Sequence, residues 1–177
     1  MKIAALTLLL APALLSAQTA AQPPRPGPEV QKLALFVGRW TSTGDMQPGP
    51  MGPGGKMTST SNCEWFSGGF YLVCRSSGTT PGGPMQGLGI LGYSSDRQRY
   101  TYYGIDNSGM PAEPAYAQVT GDTWIWEGEA RSGGQPIKSR YTIKIVSPDE
   151  YTWKYEMSVA GGAMTLIAAG TDKKVKA

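Results

Sequence analysis

From Gly38 onward, apolar and polar positions alternate with a period of two through most of the chain. Tyr151, Trp153, Tyr155 and Met157 fall on one side of a run, against Thr152, Lys154, Glu156 and Ser158 on the other. Tyr141, Ile143 and Ile145 oppose Arg140, Thr142 and Lys144, and Trp124 and Trp126 oppose Ile125 and Glu127. Successive side chains of a strand point to opposite faces, so this pattern predicts antiparallel strands with one face buried and one wet. Strands are expected at 38–43, 56–66, 70–77, 86–93, 98–106, 115–120, 123–130, 137–146, 151–160 and 163–170, nearly all separated by Gly, Pro, Asn, Asp or Ser clusters. Turn signals at intervals of about 8–12 residues describe an all-β domain. The connections are short enough for a meander of sequential hairpins. Closing ten such strands into an up-and-down barrel removes the exposed edges, with a two-sheet sandwich as the competing arrangement.

One hairpin sets its own register. Cys63-Glu64-Trp65-Phe66 and Phe70-Tyr71-Leu72-Val73-Cys74 flank Ser67-Gly68-Gly69. If Gly68 and Gly69 are the central turn residues, Cys63 faces Cys74, and these are the only two cysteines. Gly-Gly tolerates the positive φ of a hairpin turn. A strict two-residue turn would put the cysteines at a hydrogen-bonded pair. A disulfide fits better across the narrower non-hydrogen-bonded pair, so the bond predicts a four-residue loop, Ser67 to Phe70.

Helical periodicity is confined to Pro28–Phe36. Pro suits a first helical position, Glu29 follows it, and Gly38 can end the element. Val30, Leu33 and Val37 share a stripe with Ala34 beside it. Ahead of this helix, Lys2 and the apolar run Ile3 to Leu15 read as an export signal, too short for a bilayer span, with cleavage expected after Ala21 and, as second choice, after Ala17. The expected organisation is a leader at 1–21, a Pro-rich lead-in at 22–27, a barrel at 28–170 and a flexible tail at 171–177. An exported chain, periplasmic or secreted, suits a Cys63–Cys74 disulfide. The net charge of +3 is one unit lower without Lys2, and the basic residues are scattered, so no nucleic-acid partner is expected. Lys173, Lys174 and Lys176 read as a solvated chain end. No later segment is apolar enough to span a membrane as a helix, and the barrel is expected as a monomer or small homo-oligomer.

A short helix, then Gly38-Arg39-Trp40, then ten antiparallel strands resembles the lipocalin and fatty-acid-binding superfamily. Gly68 to Leu72, Gly87 to Tyr93 and Tyr100 to Gly109 resemble more closely the exported bacterial family known as domain of unknown function 1579, over roughly 28–170. That resemblance implies the barrel, with Trp40 closing its floor beside the helix, and implies no activity. Nitrobindin-like barrels, a more distant resemblance, hold haem through a histidine, and that role cannot transfer.

The chain contains no histidine. A Ser-His-Asp triad, a histidine zinc site and a histidine-ligated haem are excluded on that ground. Glu127 and Glu129 share a strand face and could in principle do acid–base work, but a wet outer face opposite Trp124 and Trp126 is the simpler reading. Asp106, beside Asn107 and Gly109, reads as a turn residue. Gly87, Gly89 and Gly92 echo a phosphate loop, but no helix follows them, so they read as kinks in a curved strand. No constellation points to an enzyme, and neither cofactor nor metal is expected. The leading expectation is non-covalent binding of a small apolar or amphipathic molecule inside the barrel, lined by Trp126, Tyr141, Trp153, Tyr155 and Tyr102. The alternative is a filled barrel serving as a structural or interaction module of the cell envelope. In an up-and-down barrel the long Gly/Pro connections share one end, which is then the mouth. Met51, Met85 and Met110 lie in those loops, as plugs, as an apolar entrance, or as soft ligands for Cu(I).

Overall fold

The computed structural model describes residues 24–49, 52–110 and 112–176. The expected leader at 1–21 and Met51 lie outside the described residues. Ten strands follow a short helical segment: β1 (Gly38–Met46), β2 (Gly55–Trp65), β3 (Leu72–Thr80), β4 (Gly83–Ser94), β5 (Arg99–Asp106), β6 (Ala115–Thr120), β7 (Thr123–Ser132), β8 (Gln135–Ser147), β9 (Glu150–Val159) and β10 (Thr165–Lys174). Each strand pairs antiparallel with the next, and β10 pairs with β1 from Trp40↔Lys174 to Met46↔Ala168, which closes the barrel. The sheet has no free edge overall, which is the physical reason a meander of this length closes. The sandwich alternative is thereby ruled out.

The central hairpin has the expected register, with Cys63↔Cys74 and Trp65↔Leu72 facing. Phe66 N–H donates to the Tyr71 carbonyl at 2.8 Å, so the loop is the four-residue one, Ser67 to Phe70. Counting inward from that bond makes 63/74 a narrow, non-hydrogen-bonded pair. The Cα atoms lie 4.0 Å apart and the disulfide is formed.

The helical segment differs from expectation in its second half. It is α-helical over Pro28–Gln31 and 3₁₀ over Lys32–Phe36. A 3₁₀ turn brings i and i+3 onto one line, so the buried stripe is Val30, Leu33 and Phe36, and Ala34 faces solvent. Phe36 meets Trp124 edge-on at 5.1 Å and Tyr151 at 5.9 Å. Trp40 is buried under this cap and its indole N–H donates to the Phe36 carbonyl at 3.0 Å. Tyr100 donates to Glu29 at 2.8 Å, tying the cap to β5.

The expected tail also differs. β10 runs four residues past Gly170, and Thr171–Lys174 pair with β1. A bulge between Leu166 and Ala168 is the cause. It changes which parity faces inward, so Ile167 packs with Ile137 and Met157, while Ala168, Gly170 and Asp172 face the interior farther along. Lys173 reaches Glu150 at 3.5 Å and Lys174 lies over the Trp40 ring at 5.2 Å, so neither is a free chain end.

Candidate functional site

The barrel interior has two unlike halves. Against β7, β8 and β9 it is filled with rings. Trp124 and Trp126 are stacked at 6.2 Å, Tyr141 stacks on Trp153 at 5.7 Å, and Tyr155 tilts against Tyr141 at 6.3 Å. The inward alternation of β8 and β9 is therefore as the sequence pattern requires. Against β2, β3, β4 and β5 a run of inward positions is small, Ser61, Cys63, Cys74, Ser76, Gly87, Gly89 and Gly104, next to larger inward residues such as Leu72, Leu91 and Tyr100. A cavity of about 370 Å³ lies against this small-residue wall, between the Trp40–Phe36 floor and Met85 and Asp106.

Of the five aromatic residues expected to line a ligand, Tyr102 alone borders this cavity. Trp126, Tyr141, Trp153 and Tyr155 instead fill the opposite half by packing on one another. A row of large rings on adjacent strands closes space, and the space that remains lies against the small residues of β2, β3, β4 and β5. Both hairpin cysteines border the cavity too, so the disulfide is part of its wall.

Two cross-strand glycine pairs are each covered by a ring lying flat on the wall. Gly44 faces Gly170 across β1 and β10, and a Cβ on Gly170 would come within 2.6 Å of the Trp153 ring. Gly89 faces Gly104 across β4 and β5, and a Cβ on Gly89 would come within 2.7 Å of the Tyr102 ring. The two rings are held differently. Trp153 N–H donates to Asp172 at 2.8 Å and to Ser42 at 3.2 Å. Tyr102 makes no hydrogen bond among the described residues, meets Trp126 edge-on at 6.0 Å, and keeps 39 % of its surface open although it points inward. Its open face is turned to the lumen.

Asp172, which the sequence pattern assigns to a tail, is the buried carboxylate of the interior. It accepts from Tyr151 at 2.6 Å and from Trp153 at 2.8 Å, and Ser42 faces it across β1. Burial raises its pKa, and these three polar neighbours pull it partly back. Burial likewise raises Tyr141 and Tyr151 well above the usual phenol value, with the Asp172 charge adding to both. Asp106 sits at the other end. Its Oδ1 accepts from Ser108 N–H at 2.8 Å, the turn role expected of it, and its charge adds to burial in raising Tyr102 and Tyr155.

Of the methionines expected in loops, Met85 lies instead within β4, because the β3–β4 hairpin turns tightly at 81–82. Met85 borders the cavity, and Met110 packs with Ile137, Met157 and Ile167 at the mouth end. β5 pairs with β6 only from Tyr100 to Tyr102, so the rest of β5, from Tyr103 to Asp106, parts from β6. Glu127 and Glu129 lie on the wet outer face, paired with Arg140 at 3.0 Å and Lys138 at 3.1 Å, which is the structural role rather than the acid–base one. Among the described residues no cluster of Cys, Asp and Glu is arranged to hold a metal ion, and no helix is long and apolar enough to cross a membrane.

Floor helix, closed meander and asymmetric lumen together define a lipocalin-like, ten-stranded all-β barrel. The chain belongs to the family described as protein of unknown function DUF1579, whose model matches residues 25–171. No curated protein matches the sequence. Among solved structures it is similar to Rv2717c from M. tuberculosis at 17 % identity and a TM-score of 0.61, over 85 % of this chain and 99 % of that one. It is also similar to the S-type phycobiliprotein lyase CPES from Guillardia theta at 13 % identity and a TM-score of 0.54, over 83 % and 92 %. At these identities the likeness is one of fold.

Proposed function

We propose that the protein is an exported carrier that holds a small amphipathic molecule non-covalently inside the barrel. The observation that carries this reading is the cavity of about 370 Å³, bordered by small side chains and by the open face of an inward-pointing tyrosine. Ligand pockets are concave and mostly apolar, of roughly 300–1,000 Å³, with a few convergent polar groups. Here those groups are Ser61, Ser76, Tyr102 and Asp106. The Cys63–Cys74 bond supports export, since such bonds persist in oxidising compartments.

Native mass spectrometry of protein purified from its own periplasm or medium tests this. A non-covalent adduct lost on collisional activation is the expected result. A bare mass, together with no binding of Nile red by the purified chain, would leave the filled-barrel envelope module instead. That second reading draws on Met110, which packs over the mouth-end cluster as a plug does. Copper handling would need Met85 and Met110 to bring their sulfurs together with Met51, and Cu(I) titration tests it.

A further inference from the structure

The charges around the lumen discriminate between ligands. Asp106 is the one charged side chain that borders the cavity, and among the described residues it is in no ion pair. Asp106 itself is exposed at the cavity's rim, whereas the buried carboxylate, Asp172, stands behind Tyr151 on the cavity's far side. Among the described residues no lysine or arginine borders the cavity. The nearest basic groups are turned away. Lys174 is placed on the Trp40 ring at the floor, and Arg39 and Arg75 belong to outward positions of β1 and β3, where they line a groove of about 660 Å³ that shares Ser61, Ser76, Gly87 and Asp106 with the cavity.

A carboxylate entering this lumen would lose its hydration and meet no cation, and taking an ion out of water without a partner is strongly unfavourable. A cation would meet the Asp106 carboxylate and the face of Tyr102. That ring is held flat against the wall because Gly89 and Gly104 leave room for it there, and its other face is open. An aromatic face attracts a cation and stacks on a planar group.

Resting on the carrier reading above, we infer that the cavity takes a flat organic cation, stacked on Tyr102 with its charge against Asp106, and rejects carboxylates such as fatty acids. This assigns Asp106 a binding role beyond the turn it caps. It also gives the glycines of β4 and β5 a purpose, since a Cβ at Gly89 or Gly104 would drive the tyrosine ring into the lumen.

The test uses the full chain with its disulfide intact and three fluorescent probes: proflavine, a planar cation; 1-anilinonaphthalene-8-sulfonate, an anion; and Nile red, which is neutral. Proflavine and Nile red are expected to bind and to displace one another. The sulfonate is expected to bind at least about tenfold more weakly than proflavine. Salt should weaken proflavine more than Nile red. Asp106→Asn keeps an Oδ1 for the turn, and it should lower the affinity for proflavine relative to Nile red by about fivefold or more. If Nile red binds but the sulfonate matches or exceeds proflavine, the inference is overturned and the carrier reading stands. An unchanged probe ratio in Asp106→Asn overturns it in the same way. If none of the three binds, both fall. Should Asp106→Asn fail to fold, the probe ratio and its salt dependence in the unaltered chain decide alone.

Discussion

Asp172 offers a direct measurement of what the filled half of the barrel costs and gains. Its carboxylate is buried and accepts from Tyr151 and Trp153. Replacing it with alanine removes the acceptor for two buried donors, the Tyr151 hydroxyl and the Trp153 indole. A buried group left without a partner costs about 1–3 kcal/mol. Ser42, 3.2 Å from the indole nitrogen, keeps part of the Trp153 bond, so Asp172→Ala should lose about 2–5 kcal/mol overall. Asp172→Asn retains one acceptor for Trp153, and its amide can donate to the Tyr151 oxygen, so its loss should be much smaller. The pH dependence runs in a definite direction. Burial raises the folded-state pKa of Asp172 above the ordinary aspartate value. The stability this group contributes is therefore fully present below its unfolded value and is lost as pH rises through the folded one. Other carboxylates act oppositely. Glu29 and Asp122 are held below their usual values, chiefly by hydrogen bonds from Lys32 and Lys144. The informative quantity is thus the difference between wild type and Asp172→Asn in urea melts from about pH 3 to pH 8. It should move in favour of the asparagine variant as pH rises. A difference that stays flat would mean the carboxyl is not raised. An alanine variant as stable as the asparagine one would mean that its hydrogen bonds hold nothing.

Four further outcomes are expected. Trp153→Ala should cost about 3–5 kcal/mol in denaturant melts, because the ring is buried and covers the Gly44–Gly170 pair; a loss under about 1 kcal/mol would contradict its core position. Gly170→Ala should destabilise by at least about 1–3 kcal/mol, since its Cβ meets the Thr43 carbonyl and Gly44 Cα, which are backbone and cannot step aside. Gly104→Ala should cost less, because it meets only the part-exposed Tyr102 ring, and should instead diminish Nile red binding; equal losses in the two variants would show the rings to be equally fixed. Reducing Cys63–Cys74, whose loop separation is 11, should lower stability by less than about 3 kcal/mol, since the hairpin bond from Phe66 to Tyr71 already holds the ends together.

The architecture was legible because the strands repeat one physical signal. In β8 and β9, rings and branched residues fall on alternate positions without interruption from Tyr141 to Ile145 and from Tyr151 to Met157, and both faces came out as the pattern requires. The cysteine register was legible for a local reason: a hairpin with Gly68 and Gly69 in its turn fixes who faces whom. The failures have causes of the same kind. A period-two reading assumes constant phase, and the bulge at Ile167 breaks it. The alternation beyond Gly170 was therefore not recognised as strand, and Asp172 was lost with it. Helical spacing assumes a constant turn, and the shift to 3₁₀ exchanged Ala34 for Phe36. Alternation of small residues carries no hydrophobic signal at all, so Ser61, Ser76, Gly87, Gly89 and Gly104 were not seen as a wall.

That last failure explains why the aromatic residues were the wrong guide to an open lumen. An inward ring marks where volume is consumed, whereas an inward glycine marks where a ring from a neighbouring position can lie flat and leave volume free. Gly44–Gly170 and Gly89–Gly104 are built alike, each pair facing across a strand seam with one ring over it. What separates them is the polar end of the ring. Trp153 is hydrogen-bonded to Asp172 and Ser42, and Tyr141 stacks on it, so that side is packed solid. Tyr102 has no side-chain hydrogen-bond partner among the described residues and meets one ring, Trp126, edge-on at 6.0 Å, and it stands beside Asp106 at the seam where β5 parts from β6. One device thus gives a fixed wall on the β1–β10 side and an adjustable one on the β4–β5 side. The cavity lies on the adjustable side because that is where the chain left a ring unpinned.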